Sequence, residues 1–145
     1  MTYHFRVHRD GGLWAECIEL PECHTQGRTM GELRTNMAEV LNLYLDEPPS
    51  STHLFPSPRD RRAGSGVVPI DVDPRVAFAL QLRQARLRRG FTQHEAARRL
   101  GMRNLYSYQR LERKANPSLE TLAKVVRVFP DLSVDDAIGI SQNSR

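Results

Sequence analysis

The amino-acid sequence predicts an α+β protein, in which a small three- or four-stranded sheet with one helix precedes an all-helical region of four or five helices. Two patterns support this fold class. Near the N-terminus apolar and polar residues alternate, as in half-buried strands, whereas after residue 73 apolar residues recur at helical spacing. Of the 145 residues, 39% are hydrophobic and 26% are charged, which is typical of a globular protein.

Four strands are predicted in the first half of the chain. Alternating residues predict strands at 3–8 and 13–20, joined by an Asp-Gly-Gly turn, and a short third strand at 24–26. A fourth strand is predicted at 67–72, where Pro69 favours an edge position because proline cannot donate to a central ladder.

One amphipathic helix follows the third strand. Thr29 and Glu32 form a capping box at its start, and it should end near Glu47, before two prolines. Its apolar face consists of Leu33, Met37, Val40, Leu41 and Tyr44. Residues 48–66 are rich in Pro, Ser, Gly and Arg without periodicity and are interpreted as a long loop inside a first domain, residues 1–72.

A second, all-helical domain is predicted at residues 73–140. Asp73 caps its first helix, Thr92 caps the second, and Gly101 ends the second in a left-handed conformation. The third helix has three apolar residues at helical spacing, Leu105, Tyr108 and Leu111. Two short helices joined by a glycine-containing turn form a helix-turn-helix, whose second helix can lie in the DNA major groove.

The end of this domain is predicted to be helical as well. Ser118 caps a fourth helix, whose apolar face is expected to comprise Leu119, Leu122, Ala123, Val126 and Phe129. Residues 133–138 favour a short fifth helix, and residues 141–145 are expected to form a frayed tail.

Charge is distributed unevenly along the chain. Residues 1–48 carry four basic and eight acidic side chains, a net charge of −4, whereas residues 75–128 carry 13 basic and three acidic side chains, a net charge of +10. This asymmetry indicates two modules with different partners, the second suited to a polyanion. The alternative is a pair of solvated faces of opposite sign.

Polar and basic side chains of the third helix, on the side away from its apolar residues, are candidates for DNA contacts. Arginine pairs with guanine, and asparagine or glutamine with adenine, while residues in the first turn of the second helix commonly reach phosphates. The predicted DNA-binding residues are Gln93, Arg103, Asn104, Tyr106, Ser107, Gln109, Arg110 and Arg113. Spacing and charge together favour DNA binding over a solvated face of an ordinary helical bundle.

Acidic residues near the first two strands raise the question of a metal-dependent nuclease. Glu16 and Glu19 fall on opposite faces of the second strand, and no second acidic cluster completes a two-metal site, so dispersed surface carboxylates are the favoured interpretation. Cys17 and Cys23 lack the spacing of a structural zinc site and are expected to be buried or half-buried free thiols. We expect no catalytic residue, metal or cofactor.

Trp14 has two interpretations. In the first, its side chain lies on the strand face opposite Ala15 and Cys17 and therefore points outward beside Glu16. There it is a candidate anchor for a basic protein partner. Alternatively, it packs under the helix. No apolar run reaches the length of a membrane span, and the N-terminal residues lack the apolar core of a signal peptide, so we expect a cytoplasmic protein without membrane contact.

The order of elements in the first half resembles the N-terminal domain of HicB antitoxins. The matching features are Tyr3–Val7, Asp10-Gly11-Gly12, Leu13–Ile18, Pro21, Gly27 and Leu33–Tyr44. The resemblance implies a partial RNase H-like fold without nuclease chemistry. It also implies that this domain binds and blocks a HicA-like toxin, a small mRNA endoribonuclease.

The second half is similar to the Xre-type helix-turn-helix domain of many HicB proteins. The matching residues are Leu82, Arg83, Arg86, Gly90, Phe91, Thr92, Gln93, Ala97, Leu100, Gly101, Leu111 and Glu112. Between Gly101 and Leu111 the chain is one residue longer than the common pattern, which leaves the register of the third helix open. The resemblance implies a homodimer or higher homo-oligomer that binds double-stranded operator DNA.

The leading functional hypothesis is therefore an antitoxin that neutralises a HicA-like endoribonuclease and represses its own operon. The candidate toxin-binding residues are Asp10, Trp14, Glu16, Glu19 and Glu22. One alternative is a helix-turn-helix repressor whose first domain senses a small molecule or only dimerises. Another is an RNase H-like enzyme with a DNA-targeting tail.

Overall fold

The computed structural model describes residues 1–60 and 64–139. They form two compact units: a sheet unit, within residues 1–47 and 55–72, and a helical unit, formed by residues 48–54 together with the chain from Asp73 onward. A four-stranded sheet with one helix precedes a helical region, so the predicted α+β class is confirmed. The predicted tail, residues 141–145, lies outside the described residues.

The sheet unit is built on an antiparallel sheet in the order β3-β2-β1-β4. Its strands are β1 (Thr2–His8), β2 (Trp14–Cys17), β3 (His24–Gln26) and β4 (Val67–Asp71). Pro69 therefore lies on an edge strand, as predicted, where a missing backbone donor costs no ladder hydrogen bond.

Helix α1 (Met30–Leu45) covers one face of this sheet. The side-chain hydroxyl of its N-cap, Thr29, accepts a hydrogen bond from the backbone N–H of Glu32 at 3.1 Å, which confirms the predicted helix start. The core side chains contributed by α1, β1 and β2 are Leu33, Met37, Leu41, Leu45, Tyr3, Phe5, Ala15 and Cys17.

The helical unit contains five helices among the described residues. They are α2 (Pro74–Arg88), α3 (Gln93–Arg99), α4 (Leu105–Leu111), α5 (Leu119–Val128) and α6 (Val134–Ala137). The predicted N-caps Asp73, Thr92 and Ser118 each accept a hydrogen bond from a backbone N–H in the first turn. Gly101 follows α3 with φ 69°, the left-handed conformation expected there.

The predicted apolar face of α5 is wrong in part. Leu119 is 84% exposed and Ala123 is also exposed, whereas Val125 is completely buried. Val125 and Phe129, four residues apart, both lie in the core, and this pair sets the rotation of the helix about its axis. Leu119 and Ala123 of the predicted face are therefore turned toward the surface, whereas Phe129 is buried as predicted.

The segment predicted as one loop, residues 48–66, is shared between the two units. Residues 48–54 belong to the helical unit, and the chain from Phe55 belongs to the sheet unit. Phe55 is only 5% exposed, and its ring centroid lies 5.6 Å from that of Tyr44. Residues 61–63 of this segment lie outside the described residues.

Candidate nucleic-acid interface

Helices α3 and α4 pack closely against each other around small and aromatic side chains. Ala96 and Ala97 of α3 are buried, as are Tyr108 and Leu111 of α4. Burial of Tyr108 and Leu111 at i and i+3 fixes which side of α4 faces the core, so the opposite side is left for a ligand.

A buried ion pair ties α4 to α2. All three guanidinium nitrogens of Arg86 donate hydrogen bonds. Nη2 donates to Oε2 of Glu112 at 3.1 Å, and Nε donates to Oε1 of the same carboxylate. Nη1 donates to the carbonyl oxygen of Phe91 at 3.0 Å. The hydroxyl of Tyr108 also donates to Oε1 of Glu112, at 2.7 Å. The charges of Arg86 and Glu112 are therefore both paired.

The pKa values at the junction follow from burial and charge. Burial lowers the pKa of Arg86, but the hydrogen bond to Glu112 and its charge outweigh this, so the Arg86 pKa lies above its ordinary value. Burial, aided by the negative charge of Glu112, raises the pKa of Tyr108 far above its ordinary value. The guanidinium stays charged, and the phenol remains a donor.

Gln93 has partners that the sequence did not predict. Its Nε2 donates to Oε2 of Glu112 at 3.0 Å, and its Oε1 accepts from Nε2 of Gln109 at 3.1 Å. These internal contacts orient the Gln93 amide, and its contact with a phosphate stays a prediction. Both ends of the amide are used inside the protein, because Gln93 lies beside the carboxylate of Glu112.

Asn104 and Ser107 are also paired with each other. Oδ1 of Asn104 accepts hydrogen bonds from the backbone N–H and the hydroxyl of Ser107, both at 2.8 Å, which makes Asn104 the N-cap of α4. Both side chains were predicted to contact DNA, and this cap was not predicted. An asparagine followed three residues later by serine, just before an apolar helical pattern, is the signal that could have revealed it.

The outward side of α4 is aromatic and basic. Tyr106, Arg110 and Arg113 are exposed and lie on one stripe at i, i+4 and i+7, and Arg103 is exposed just before the helix. The guanidinium of Arg110 lies 6.0 Å from the centroid of the Tyr106 ring. Gln109 is half-buried at the side of this stripe.

Exposed cations of α3, which were not among the predicted DNA-binding residues, extend the basic surface. Arg98 and Arg99 are both exposed, and the guanidinium of Arg99 lies 4.3 Å from the centroid of the Phe91 ring. The sequence feature that indicated these arginines was the +10 charge of residues 75–128, not a residue spacing. The helix-turn-helix motif assigns base contacts to its second helix and does not single out cations of α3.

In the sheet unit, Trp14 lies on the sheet face opposite α1. Its ring stacks on that of His8, its cross-strand neighbour, with centroids 4.1 Å apart and an interplanar angle of 20°. The indole N–H donates to the backbone carbonyl of Asp10 at 3.3 Å, and Nε2 of His8 lies 3.0 Å from Oε1 of Glu16. Of the two interpretations of Trp14, the outward one describes its placement.

Glu19 is not a surface carboxylate, which corrects the sequence interpretation. Its side chain is buried, accepts a hydrogen bond from the backbone N–H of His4 at 3.1 Å, and lies 3.0 Å from Nδ1 of the same residue. The turn after β2 directs this carboxylate back toward β1, which spacing alone could not show. Asp10 and Glu22 are exposed, and Glu16 is half-buried.

Cys17 and Cys23 are buried free thiols, as predicted. Burial raises the pKa of Cys17 to about 11 and that of Cys23 to about 12, so both thiols are protonated at neutral pH. Within residues 1–60 and 64–139, no group of three or more His, Cys, Asp or Glu side chains is arranged to hold a metal ion.

Comparison with known proteins agrees with the geometry of the helical unit. Residues 82–136, from within α2 to within α6, match the family model described as Helix-turn-helix. This region is a helix-turn-helix domain. The match supports a DNA-binding helix-turn-helix regulator, with α3 and α4 as the two helices of the motif. No curated protein matches the chain.

In the part of the chain that the structure describes, no helix is long and apolar enough to cross a membrane.

Proposed function

We propose that this protein is a HicB-type antitoxin and autorepressor of a type II toxin–antitoxin system. Its sheet unit binds and blocks a HicA-like mRNA endoribonuclease, and its helix-turn-helix domain binds the operator of its own operon. The observation that carries the proposal is the joining, in one short chain, of an acidic β-sheet module to a basic helix-turn-helix domain.

Charge complementarity supports the toxin-binding half of the proposal. An endoribonuclease binds a polyanion and needs a basic substrate surface, and residues 1–48 carry a net charge of −4. Acidic groups on the antitoxin speed the encounter and exclude RNA from the same surface. Neutralisation by occlusion therefore requires no catalytic group on the antitoxin.

Trp14 is the proposed anchor of the toxin contact. Its ring is held by the stack on His8 and by the hydrogen bond to Asp10, so binding costs little additional side-chain freedom. Tryptophan in such a position is the residue type most enriched among energetic hot spots. Glu16, together with the exposed acids Asp10 and Glu22, supplies the surrounding negative charge.

For operator binding, we propose that α4 enters the major groove. Arg103, Arg110 and Arg113 provide long cations for phosphates and guanine, and Tyr106 provides an exposed aromatic surface. Asn104 and Ser107 contribute by fixing the start of the helix. A helix-turn-helix regulator reads both halves of a palindrome when two copies are related by a twofold axis.

The outward stripe of α5 supplies a surface for that second copy. Leu119 and Ala123 are exposed and Leu122 and Val126 half-buried, at i, i+3, i+4 and i+7. An isologous contact brings the same stripe of two protomers together. Burial of this stripe removes apolar surface from water in the homodimer.

A second candidate function is a helix-turn-helix repressor whose sheet unit senses a small molecule. An open cavity of about 410 Å³ lined by Trp14, His24, Thr25 and Gln26 favours it. The aromatic wall and polar rim suit a planar polar ligand, and such a ligand would change operator affinity without any protein partner.

The deciding experiment is co-expression of the full chain with the product of the neighbouring reading frame. We expect a stable complex of the two proteins that no longer cleaves mRNA. We also expect the complex, or the free protein, to bind DNA from upstream of the two genes. DNA binding without capture of the neighbouring product, together with an operator affinity that changes with small molecules, would favour the second candidate. Failure of both DNA binding and toxin capture by folded protein contradicts the proposal.

A further inference from the structure

Cys17 and Cys23 lie opposite each other at the junction of β2 and β3. Glu16 of β2 pairs with His24 of β3, and the same register one residue further places Cys17 opposite Cys23. The backbone N–H of Cys17 donates to the carbonyl oxygen of Cys23 at 2.8 Å. Five residues separate the two cysteines in the sequence, so spacing alone does not reveal that they are neighbours.

The two thiols share one face of the sheet. Side chains of directly opposed residues in an antiparallel pair point to the same face, and both cysteines are buried, with exposed fractions of 2% and 0%. Burial raises the pKa of Cys23 first, and the negative charge of an ionised Cys17 raises it further, which reflects how close the two sulfur atoms are. The chain contains no other cysteine.

The spacing of such a pair suits a disulfide. Opposed residues that share a backbone hydrogen bond in an antiparallel sheet have Cα atoms about 5.5 Å apart. A disulfide requires about 4.4–6.8 Å between the Cα atoms, with the two Cβ atoms directed toward each other. The fold therefore accepts a bond between Cys17 and Cys23 with only a small approach of their Cβ atoms, while β2 and β3 keep their register.

An oxidant reaches these sulfur atoms when β3 separates from β2. β3 has only three residues and forms one edge of the sheet, and such elements open locally at a lower free energy than the core does. Its outer side is fastened to α1 by Nδ2 of Asn36, which donates to the carbonyl oxygen of Gln26 at 2.8 Å. In the open form both thiols regain contact with water, so they lose the burial that keeps them protonated.

We propose that Cys17 and Cys23 are a modification site, at which hydrogen peroxide forms a reversible disulfide that fastens β3 to β2. The sulfur of one cysteine attacks a peroxide oxygen, becomes a sulfenic acid and releases water. The sulfur of the other cysteine attacks the sulfenic sulfur, forms the S–S bond and releases a second water, which takes up the proton of the attacking thiol. Two thiols are thereby oxidised and one peroxide is reduced to two waters. A dithiol reverses the bond by exchange, and the site is independent of toxin or operator binding.

Peptide mapping tests the bond directly. Trypsin cleavage after Arg9 and Arg28 releases residues 10–28, which contain both cysteines and no methionine. Full-length protein is treated with hydrogen peroxide, its remaining thiols are blocked with N-ethylmaleimide, and it is then digested. We expect this peptide to carry no blocking group and to be lighter by two hydrogen atoms, and dithiothreitol before blocking should restore the doubly blocked form. Cys17→Ala is the control, because its single thiol has no partner and the peptide cannot lose two hydrogen atoms.

The rate of oxidation tests the opening of β3. Asn36→Ala removes the hydrogen bond to Gln26, so β3 should open more often and the disulfide should form about 2- to 12-fold faster. Thr35→Ala is the matched control on the same helix. Its hydroxyl donates to the carbonyl oxygen of Gly31 within α1, and its loss should leave the rate unchanged. Circular dichroism establishes that each variant is folded.

Three results would overturn the proposal or its route. If peptide 10–28 from folded wild type keeps both thiols while urea-unfolded chain forms the bond, the oxidant does not reach the pair in the native protein. If the peptide gains oxygen atoms and keeps its hydrogens, the cysteines are oxidised separately and do not act as a pair. If folded Asn36→Ala is oxidised no faster than the wild type, opening of β3 is not the route.

Discussion

Arg86 and Glu112 form an ion pair that is almost completely removed from solvent, with side-chain exposures of 7% and 0%. The pair joins α2 to the residue that follows α4, and the Tyr108 hydroxyl and Gln93 amide complete the coordination of the carboxylate. Both charges are thus compensated by short, directed contacts. The position of α4 within the domain depends on a small polar cluster as well as on apolar packing.

Removing one member of this pair should destabilise the domain strongly. We expect Glu112→Ala to lower the free energy of unfolding by about 3–5 kcal/mol, because Arg86 is left buried and without its partner charge. Urea denaturation followed by circular dichroism measures this decrease. Glu120→Ala is the control, since Glu120 forms only an exposed contact with Lys124 and should change stability by less than about 0.5 kcal/mol. Similar decreases for the two variants would contradict the inferred importance of the buried pair.

Elements with strong periodicity and a recognisable cap could be predicted from the sequence. Thr29, Asp73, Thr92 and Ser118 cap their helices as expected, and Pro69 lies on an edge strand. These features depend on neighbours within a few residues, so local sequence contains the information. The α+β class followed from the same local signals.

Features that depend on distant residues could not be predicted. Glu19 meets His4 across 15 positions, and Gln93 meets Glu112 across 19, so no spacing rule indicates either pair. The rotation of α5 was predicted wrongly for a similar reason. Its sequence offers two overlapping apolar stripes, and only tertiary packing of Val125 and Phe129 decides which one is buried.

Exposed arginines around α4 should dominate the electrostatic part of DNA binding. We expect Arg103→Ala combined with Arg110→Ala to weaken binding to all sequences. The slope of log K against log salt should become shallower by about 0.9 for each phosphate that the variant no longer neutralises. Fluorescence anisotropy at several salt concentrations gives both quantities. The double variant Arg28→Ala with Arg34→Ala removes the same charge from exposed positions of the sheet unit and serves as the control. Equal effects of the two double variants would show that only net charge matters.

The proposed toxin contact should depend on Trp14 without affecting DNA binding. We expect Trp14→Ala to weaken the toxin complex by at least about 30-fold, corresponding to about 2 kcal/mol for a hot-spot residue. Charge reversal by Glu16→Lys should act mainly by slowing association. Surface plasmon resonance with toxin and with operator DNA separates the two activities. Leu43→Ala, which changes an apolar residue that is 72% exposed on α1, is the matched control. Joint loss of both activities in folded Trp14→Ala protein would argue against separate modules.

Dimer formation should depend on the outward stripe of α5. Leu119→Glu places a charge within the proposed isologous contact, where burial without a partner is costly. We expect the variant to sediment as a monomer at concentrations where the wild type is dimeric, and to lose affinity for a palindromic site more than for a half-site. Leu43→Glu introduces the same charge at another exposed leucine and should leave the sedimentation coefficient unchanged. A dimer that survives Leu119→Glu assigns dimerisation to another surface.

The contact between Arg89 and Asp131 should make a measurable part of the stability depend on pH. Nη2 of Arg89 lies 2.7 Å from Oδ1 of Asp131, and this hydrogen bond holds the pKa of the carboxyl below its ordinary value. The folded state therefore binds the proton less tightly than the unfolded state does. The resulting stabilisation is fully present above the unfolded pKa, about 3.9, and disappears as pH falls through the lower folded pKa.

Asp131→Asn removes this pH-dependent stabilisation. We expect the variant to be less stable than the wild type at pH 6–7 by up to about 1 kcal/mol, since the Asp131 side chain is 41% exposed and water screens the pair. The difference should begin to shrink below about pH 4, where the unfolded state takes up a proton, and should vanish once the folded-state carboxyl is protonated as well. Urea midpoints at pH 7 and pH 3 provide the measurement, with Asp135→Asn on the exposed first turn of α6 as the control. A stability difference that persists unchanged at pH 3 would mean that Asp131 acts through packing or a neutral hydrogen bond, and that its charge contributes nothing.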